Sequence, residues 1–200
     1  MLAFGSLSVR ISGEPGVPSP EHNLKNPLIK IRDLDRTLFL AIFRLKWEPL
    51  TAVMRAFTIA GSAGALWGFI AGAAFLATGL ELPNLLVPWI SVAAAWTVAE
   101  GTKYLFNRAR PYISDTEIAP LIKTPSSSSF PSGHSATAAA GALSLSAIYP
   151  ALAPALLLAG LLVALSRIYL GVHYPFDVFA GMVTGAATAT VVLAVGVALA

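Results

Sequence analysis

Three short stretches of this sequence carry side chains that can hold an anion and move a proton. In the first, Lys103-Tyr104-Leu105-Phe106-Asn107-Arg108-Ala109-Arg110-Pro111, the spacing predicts a helix stopped by Pro111. Lys103 and Arg110 then stand seven apart, about two turns, and can point at one anion from a shared face. Read alone, the segment equally suits basic side chains snorkelling to lipid headgroups, with Glu100 as the partner of Lys103. The second, Pro131-Ser132-Gly133-His134-Ser135, precedes a helix-forming run at 136–142. The free N–H groups and positive dipole end of such a helix favour a phosphate, Gly133 lets it approach the backbone, and His134 lies within reach. An ordinary N-cap on Ser132 would read the same way. In the third, residues 166–177, His173 and Asp177 are four apart and Pro175 opens a helix between them. A carboxylate that holds one ring nitrogen protonated leaves the other free to attack or to exchange a proton, although a structural His–Asp pair has the same spacing.

Two histidines, one carboxylate, three cations (Lys103, Arg110, Arg167) and a helix N-terminus are together the set that phosphoryl transfer needs. Cations neutralise the transferred group, a nucleophile stands in line, and an acid serves the leaving oxygen. Two histidines with one nearby Asp and no cysteine are too few ligands for a two-metal phosphatase, so no metal and no other cofactor is expected. The three basic side chains would stand in for metal charge.

The elements that position these residues belong to a membrane. Of 200 residues, 56% are hydrophobic and 12% charged, against about 25% charged in soluble domains, and the mean hydropathy is +0.73. Asp, Glu, Lys and Arg are absent for 25 residues after Arg55, 18 after Glu81, 43 after Lys123 and 23 after Asp177. Each stretch holds at least one crossing of about 20 residues. This excludes a soluble globular enzyme and a disordered chain, and the lack of cysteine excludes a disulfide scaffold. The expectation is an all-α integral-membrane helical bundle with five transmembrane helices near 56–80, 85–106, 132–149, 151–170 and 175–199. Alternating sides bring 103–111, 131–134 and 167–177 to one membrane face, beneath a polar loop at 112–130. Gly64, Gly68 and Gly72 make a close-packing face, used inside the monomer or, alternatively, as a homodimer seam.

Residues 1–30 read as a flexible arm rich in Pro and Gly, and 31–200 as a single membrane domain. The start of the chain is too short and interrupted to be the apolar core of a secretory signal, so it is expected to be retained. Residues 31–54, with Leu34, Leu38, Ile42 and Leu45 beside Arg36, Arg44, Lys46 and Glu48, suit an amphipathic interfacial helix. The net charge of +3 forms no aromatic-interleaved basic patch, which argues against nucleic acid and for anionic headgroups of the bilayer as partner. Seven of the thirteen basic residues precede position 50, and five spans put them on the catalytic face, making that face of the cell membrane cytoplasmic. Six spans, with 34–54 crossing as well, would turn the site outward, at a cost of about 2.5–3.5 kcal/mol for each of Arg44 and Lys46.

The three segments, in this order, resemble the signature of the type 2 phosphatidic acid phosphatase superfamily: K-x6-R-P, then P-S-G-H, then S-R-x5-H-x3-D. The resemblance covers about residues 50–198 and implies a membrane lipid phosphatase of the small bacterial type that works without metal. It implies that His173 is the nucleophile forming a phosphohistidine, Asp177 its orienting partner, and His134 the acid that protonates the leaving alkoxide. Lys103, Arg110, Arg167, Ser132 and the Gly133 backbone would cradle the phosphate. Phosphatidate, phosphatidylglycerophosphate, polyprenyl diphosphate and polyprenyl-phosphoribose phosphate are all substrates that such a family leaves open. A cytoplasmic site favours polyprenyl-phosphoribose phosphate or phosphatidylglycerophosphate, intermediates made inside the cell. The competing readings are a vanadate-dependent haloperoxidase-like enzyme, which shares the cradle but is soluble in its known forms, and a non-catalytic lipid-binding membrane protein.

Overall fold

The structure is a computed structural model that describes residues 27–77 and 81–198. Its helices are α1 (Pro27–Phe43), α2 (Glu48–Ala60), α3 (Ala65–Ala77), α4 (Leu82–Lys103), α5 (Pro111–Ser114), α6 (Gly133–Ile148), α7 (Ala153–Tyr169) and α8 (Pro175–Ala198), with 3-10 turns at Ser62–Gly64 and Pro150–Leu152. No strand occurs among the described residues. Contacts divide the chain into Met1–Leu34 and Asp35–Ala200. Of the expected flexible arm, residues 1–26 lie outside the described residues.

The second unit is built around α6. Its sequence, GHSATAAAGALSLSAI, is almost all small residues, and the helix is buried along most of its length against α4, α7 and α8. Small side chains let helix backbones approach closely, which matters in a bilayer because lipid offers apolar side chains no incentive to leave it. Gly181 and Gly185 of α8, one turn apart, show the effect: a Cβ on either would strike a backbone carbonyl of α6, that of Ser132 or Ala136. On another side of α6, Trp67 of α3 is fully buried with Leu145, Leu156 and Val163.

Among the described residues, three helices are long and apolar enough to cross a membrane, Leu82–Lys103, Pro150–Tyr169 and Pro175–Gly196. The pair Glu48–Ala60 and Ser62–Ala77 qualifies together but is bent by 54°. At 16 residues, α6 is about 24 Å long, short of a hydrocarbon core of about 30 Å. The bundle is therefore an all-helical membrane domain in which one expected crossing is broken and one is a short central helix.

Two expectations about continuity are corrected. The span expected at 56–80 breaks at Gly61, because Ala63 (φ 51°) and Gly64 (φ 74°) take left-handed conformations that no α-helix can carry through. Gly64 also packs so closely on Val92 that a Cβ would clash, and Gly68 meets the Trp89 indole, so these two glycines serve packing within the chain. The interfacial helix expected over 31–54 is two helices, parted at residues 44–47, because Pro49 lies in the first turn of α2 and sets a new helix start there. The inward residues of α1 from the second unit, Asp35, Phe39 and Phe43, are four apart and buried. Phe39 stacks on Phe43 (centroids 5.3 Å apart) and meets the Tyr174 ring edge-on at 5.4 Å.

Candidate active site

At the end of α4, Lys103 reaches Glu100 Oε1 at 2.5 Å and donates to Ser127 Oγ at 3.2 Å. The helix ends there, contrary to the expectation of a shared helical face with Arg110. Residues 106–110 are irregular, and Arg110 is the extended N-cap of α5, so Pro111 starts a helix instead of stopping one. The two cations reach the same cavity from separate segments. Arg110 is 2% exposed and every arm of its fork is engaged: Nε donates to Ser127 O (2.8 Å), one terminal nitrogen to Ser128 O (3.2 Å), and the other to Val172 O (2.9 Å) while facing His173 Nε2 at 3.1 Å. Burial lowers the pKa of this guanidinium from its ordinary value.

Ser132, buried, caps α6: its Oγ accepts from the Ser135 N–H at 3.4 Å and from the Ser135 hydroxyl at 2.8 Å. It is the one residue of the expected cradle that does not line the cavity. Gly133 does line it, and a Cβ there would come 2.8 Å from Glu100 Oε1. His134, next along the helix, has Nε2 3.4 Å from Ser62 Oγ at the break between α2 and α3.

Near the end of α7, Arg167 is 3% exposed. One terminal nitrogen donates to Thr58 Oγ1 at 2.9 Å, while its Nε is buried with no partner among the described residues. Gly171 (φ 82°) reverses the chain, and the His173 N–H returns to Arg167 O at 3.2 Å. A guanidinium only donates, so His173 Nε2 accepts from Arg110 and the ring proton sits on Nδ1. That nitrogen stands 3.7 Å from Asp177 Oδ2, beyond the length of a formed hydrogen bond, with no other acceptor among the described residues. Burial pushes the imidazole down to about 4; Asp177 pulls the other way and Arg110 and Arg167 add to the depression. His173 is therefore neutral at pH 7.

Lys103, Arg110, Gly133, His134, Arg167 and His173, six of the eight expected site residues, line one cavity of about 160 Å³. Asp177 stands behind His173. Ala63 and Trp96 belong both to this cavity and to an adjoining apolar groove of about 840 Å³ between α3 and α4, walled by Gly68, Phe69, Trp89 and Val92.

Sequence reasoning passed over two residues here. Arg108, an unassigned position inside the first motif, donates to Asp177 Oδ1 at 2.7 Å and to Asp35 Oδ2 at 2.5 Å. Asp35 also accepts from Phe176 N–H at 2.9 Å. An acid spaced by fours with Phe39 and Phe43 on an amphipathic helix was the available signal.

The sequence model of the PAP2 superfamily matches residues 84–199. A decaprenylphosphoryl-5-phosphoribose phosphatase of Mycolicibacterium smegmatis is 38% identical over 127 residues, 64% of this chain and 68% of that protein. An undecaprenyl-diphosphatase of Sulfolobus acidocaldarius is 35% identical over 97 residues, 48% of this chain and 47% of that one, so the chain spans about half of its length. Among solved structures, the transmembrane PAP2-type phosphatidylglycerolphosphate phosphatase of Bacillus subtilis superposes with a TM-score of 0.69 at 26% identity, covering 86% of this chain and 88% of that one.

Proposed function

The chain belongs to the PAP2 superfamily as a phosphoric ester hydrolase of the membrane, and from that premise we propose that it removes the terminal phosphate of a polyprenyl lipid, polyprenyl-phosphoribose phosphate being the first candidate. One observation carries the reading: a cavity that gathers two histidines and three cations shares Ala63 and Trp96 with an adjoining apolar groove. The cavity suits a phosphate and the groove a hydrocarbon tail. The relative from Mycolicibacterium smegmatis, named for a decaprenyl-linked phosphoribose, supports the choice of head and tail. Phosphatidylglycerophosphate, polyprenyl diphosphate and phosphatidate are the alternatives that the same groove would admit.

In the proposed reaction, Lys103 and Arg167 hold the non-bridging oxygens, the unpartnered Arg167 Nε being a donor ready for one of them, and the Arg110 N–H that rests on His173 Nε2 turns to the entering phosphate and frees that lone pair. The lone pair of His173 Nε2 attacks phosphorus, the bond from phosphorus to the lipid oxygen breaks, and His134 gives that oxygen its proton. Water, deprotonated by His134, then attacks the phosphohistidine; the P–N bond breaks, phosphate leaves and His173 returns neutral. As the ring gains charge during attack, Nδ1–H closes on Asp177, a contact that commonly tightens only in the reacting complex. The three basic side chains supply the charge that a metal would otherwise bring.

Orientation follows from the same reading. If α2 with α3 makes one broken crossing and α6 another, the crossings number five and Asp35, Arg36, Arg44 and Lys46 lie on the catalytic face. The proposed face is therefore cytoplasmic. The chain has no cysteine, so Tyr104→Cys, at a position 92% exposed beside the site, gives a unique thiol. In sealed cells it should resist an impermeant maleimide until the membrane is opened; immediate labelling would reverse the orientation. The activity itself is tested by phosphate release from a panel of the four lipids in EDTA. The reading expects turnover that survives the chelator and is fastest on the phosphoribose lipid, and turnover abolished by EDTA would break it.

A further inference from the structure

We propose that Arg108 and Asp35 are positioning residues of the reaction: a guanidinium bridging two buried carboxylates that sets the Asp177 side chain behind His173. The inference rests on the phosphatase reading above.

Asp35 and Asp177 are each 0% exposed, on α1 and in the first turn of α8. Two buried carboxylates without a counter-charge would be costly, and the guanidinium of Arg108 meets both, through one terminal nitrogen each. Lys could not do this, because a single ammonium lacks the planar fork that reaches two acceptors in fixed directions. Asp177 is held from three directions. Arg108 takes Oδ1, while Ser129 Oγ (2.5 Å) and the Tyr174 N–H (2.8 Å) take Oδ2, the oxygen that faces His173 Nδ1. The second oxygen of Asp35 accepts from the N–H of Phe176, one residue before Asp177. The Tyr174 ring lies under the guanidinium, 4.5 Å from it. Neither Arg108 nor Asp35 lines the cavity, so neither touches the phosphate. Their effect passes through Asp177 to the tautomer and tilt of the attacking imidazole, as outer-shell partners act on a metal-bound histidine.

The test uses the full chain in detergent with two substrates, polyprenyl-phosphoribose phosphate and para-nitrophenyl phosphate, which has no tail. Asp35→Asn should lower kcat on both by about 10-fold or more, as loss of an outer-shell partner does, with KM for the lipid little changed. Arg108→Gln should cost more, and the double variant should be no slower than Arg108→Gln alone, because Asp35 acts through Arg108. Asp35→Glu should recover part of the loss. Wild-type kcat in Asp35→Asn, or losses that multiply in the double variant, would overturn the proposal. A loss confined to the lipid would also overturn it, assigning α1 to lipid capture. If Asp35→Asn melts early, Arg108→Lys decides: it keeps the charge and loses the bridge, so wild-type kcat in that variant overturns the proposal as well. A wild-type protein inert toward every phosphate would instead overturn the phosphatase reading itself, an outcome distinct from the others.

Discussion

The charged cavity and the apolar groove share Ala63 and Trp96 but are built on opposite principles. In the cavity, Arg110, Arg167 and His173 are almost wholly buried, and each is tied to backbone or side-chain atoms of another segment. The groove is several times larger and walled in part by exposed side chains, Phe69 among them at 76% exposure. Charge held for a developing transition state must be preorganised, because its value lies in direction and distance. Contact with a hydrocarbon chain is non-directional and scales with area. Changes in the cavity should therefore act on kcat for every substrate, and changes in the groove on KM for long-tailed ones.

The largest expected effect comes from His173→Ala, which should lower phosphate release by at least about 10⁴-fold, as removal of a nucleophile does, with an unchanged melting temperature. Comparable turnover would separate the cavity from the chemistry altogether. His134→Gln should reduce kcat on the lipid by about 10²–10⁴-fold, the range for a lost general acid. The first-turnover burst of para-nitrophenol should be much less affected, since that leaving group needs no proton, while later turnovers still wait on the water that His134 deprotonates; a burst slowed as much as lipid cleavage would remove His134 from the acid role. Ala93→Trp, which fills the groove wall, should raise KM for the polyprenyl substrate about 10-fold if it excludes two methylenes, at about 0.8 kcal/mol each. The para-nitrophenyl phosphate kinetics should not move, and a fall in its kcat would show that groove and cavity are not separable. The smallest effect is one of pH. Neutral His173 is the reactive form, and its pKa is pushed down to about 4. The low-pH limb set by His173 is thereby displaced toward acid, so the para-nitrophenol burst, which needs no proton from His134, should fall less than about twofold between pH 7 and 5, where an imidazole at its ordinary value would lose about 25-fold. A limb near 6.5 would place the nucleophile in a wetter site than the structure shows.

Much of the cavity was legible because its residues are fixed by local rules. A capping serine and a glycine at a helix start announce α6, and a proline opening a helix between His173 and Asp177 announces α8. What escaped was long-range. Asp35 lies 73 residues before Arg108, and Asp177 lies 69 after it, so nothing in the neighbourhood of Arg108 distinguishes it from a headgroup contact. The helix drawn through 103–110 failed because spacing can show that two cations share a face only if the backbone stays helical, and here it ends at Lys103. The break at Ser62–Gly64 was hidden for a different reason. Gly64 and Gly68 read correctly as a packing face, while the left-handed turn at Ala63 uses a residue that rarely adopts one.

The central claim is that His173 bonds to phosphorus, and rapid acid-free quenching of enzyme turning over radiolabelled lipid phosphate tests it most directly. The account predicts an alkali-stable, acid-labile label on the peptide that contains His173, formed and discharged at the rate of turnover and absent from His173→Ala. Full turnover with no covalent label, or a label that persists in His173→Ala, would contradict it.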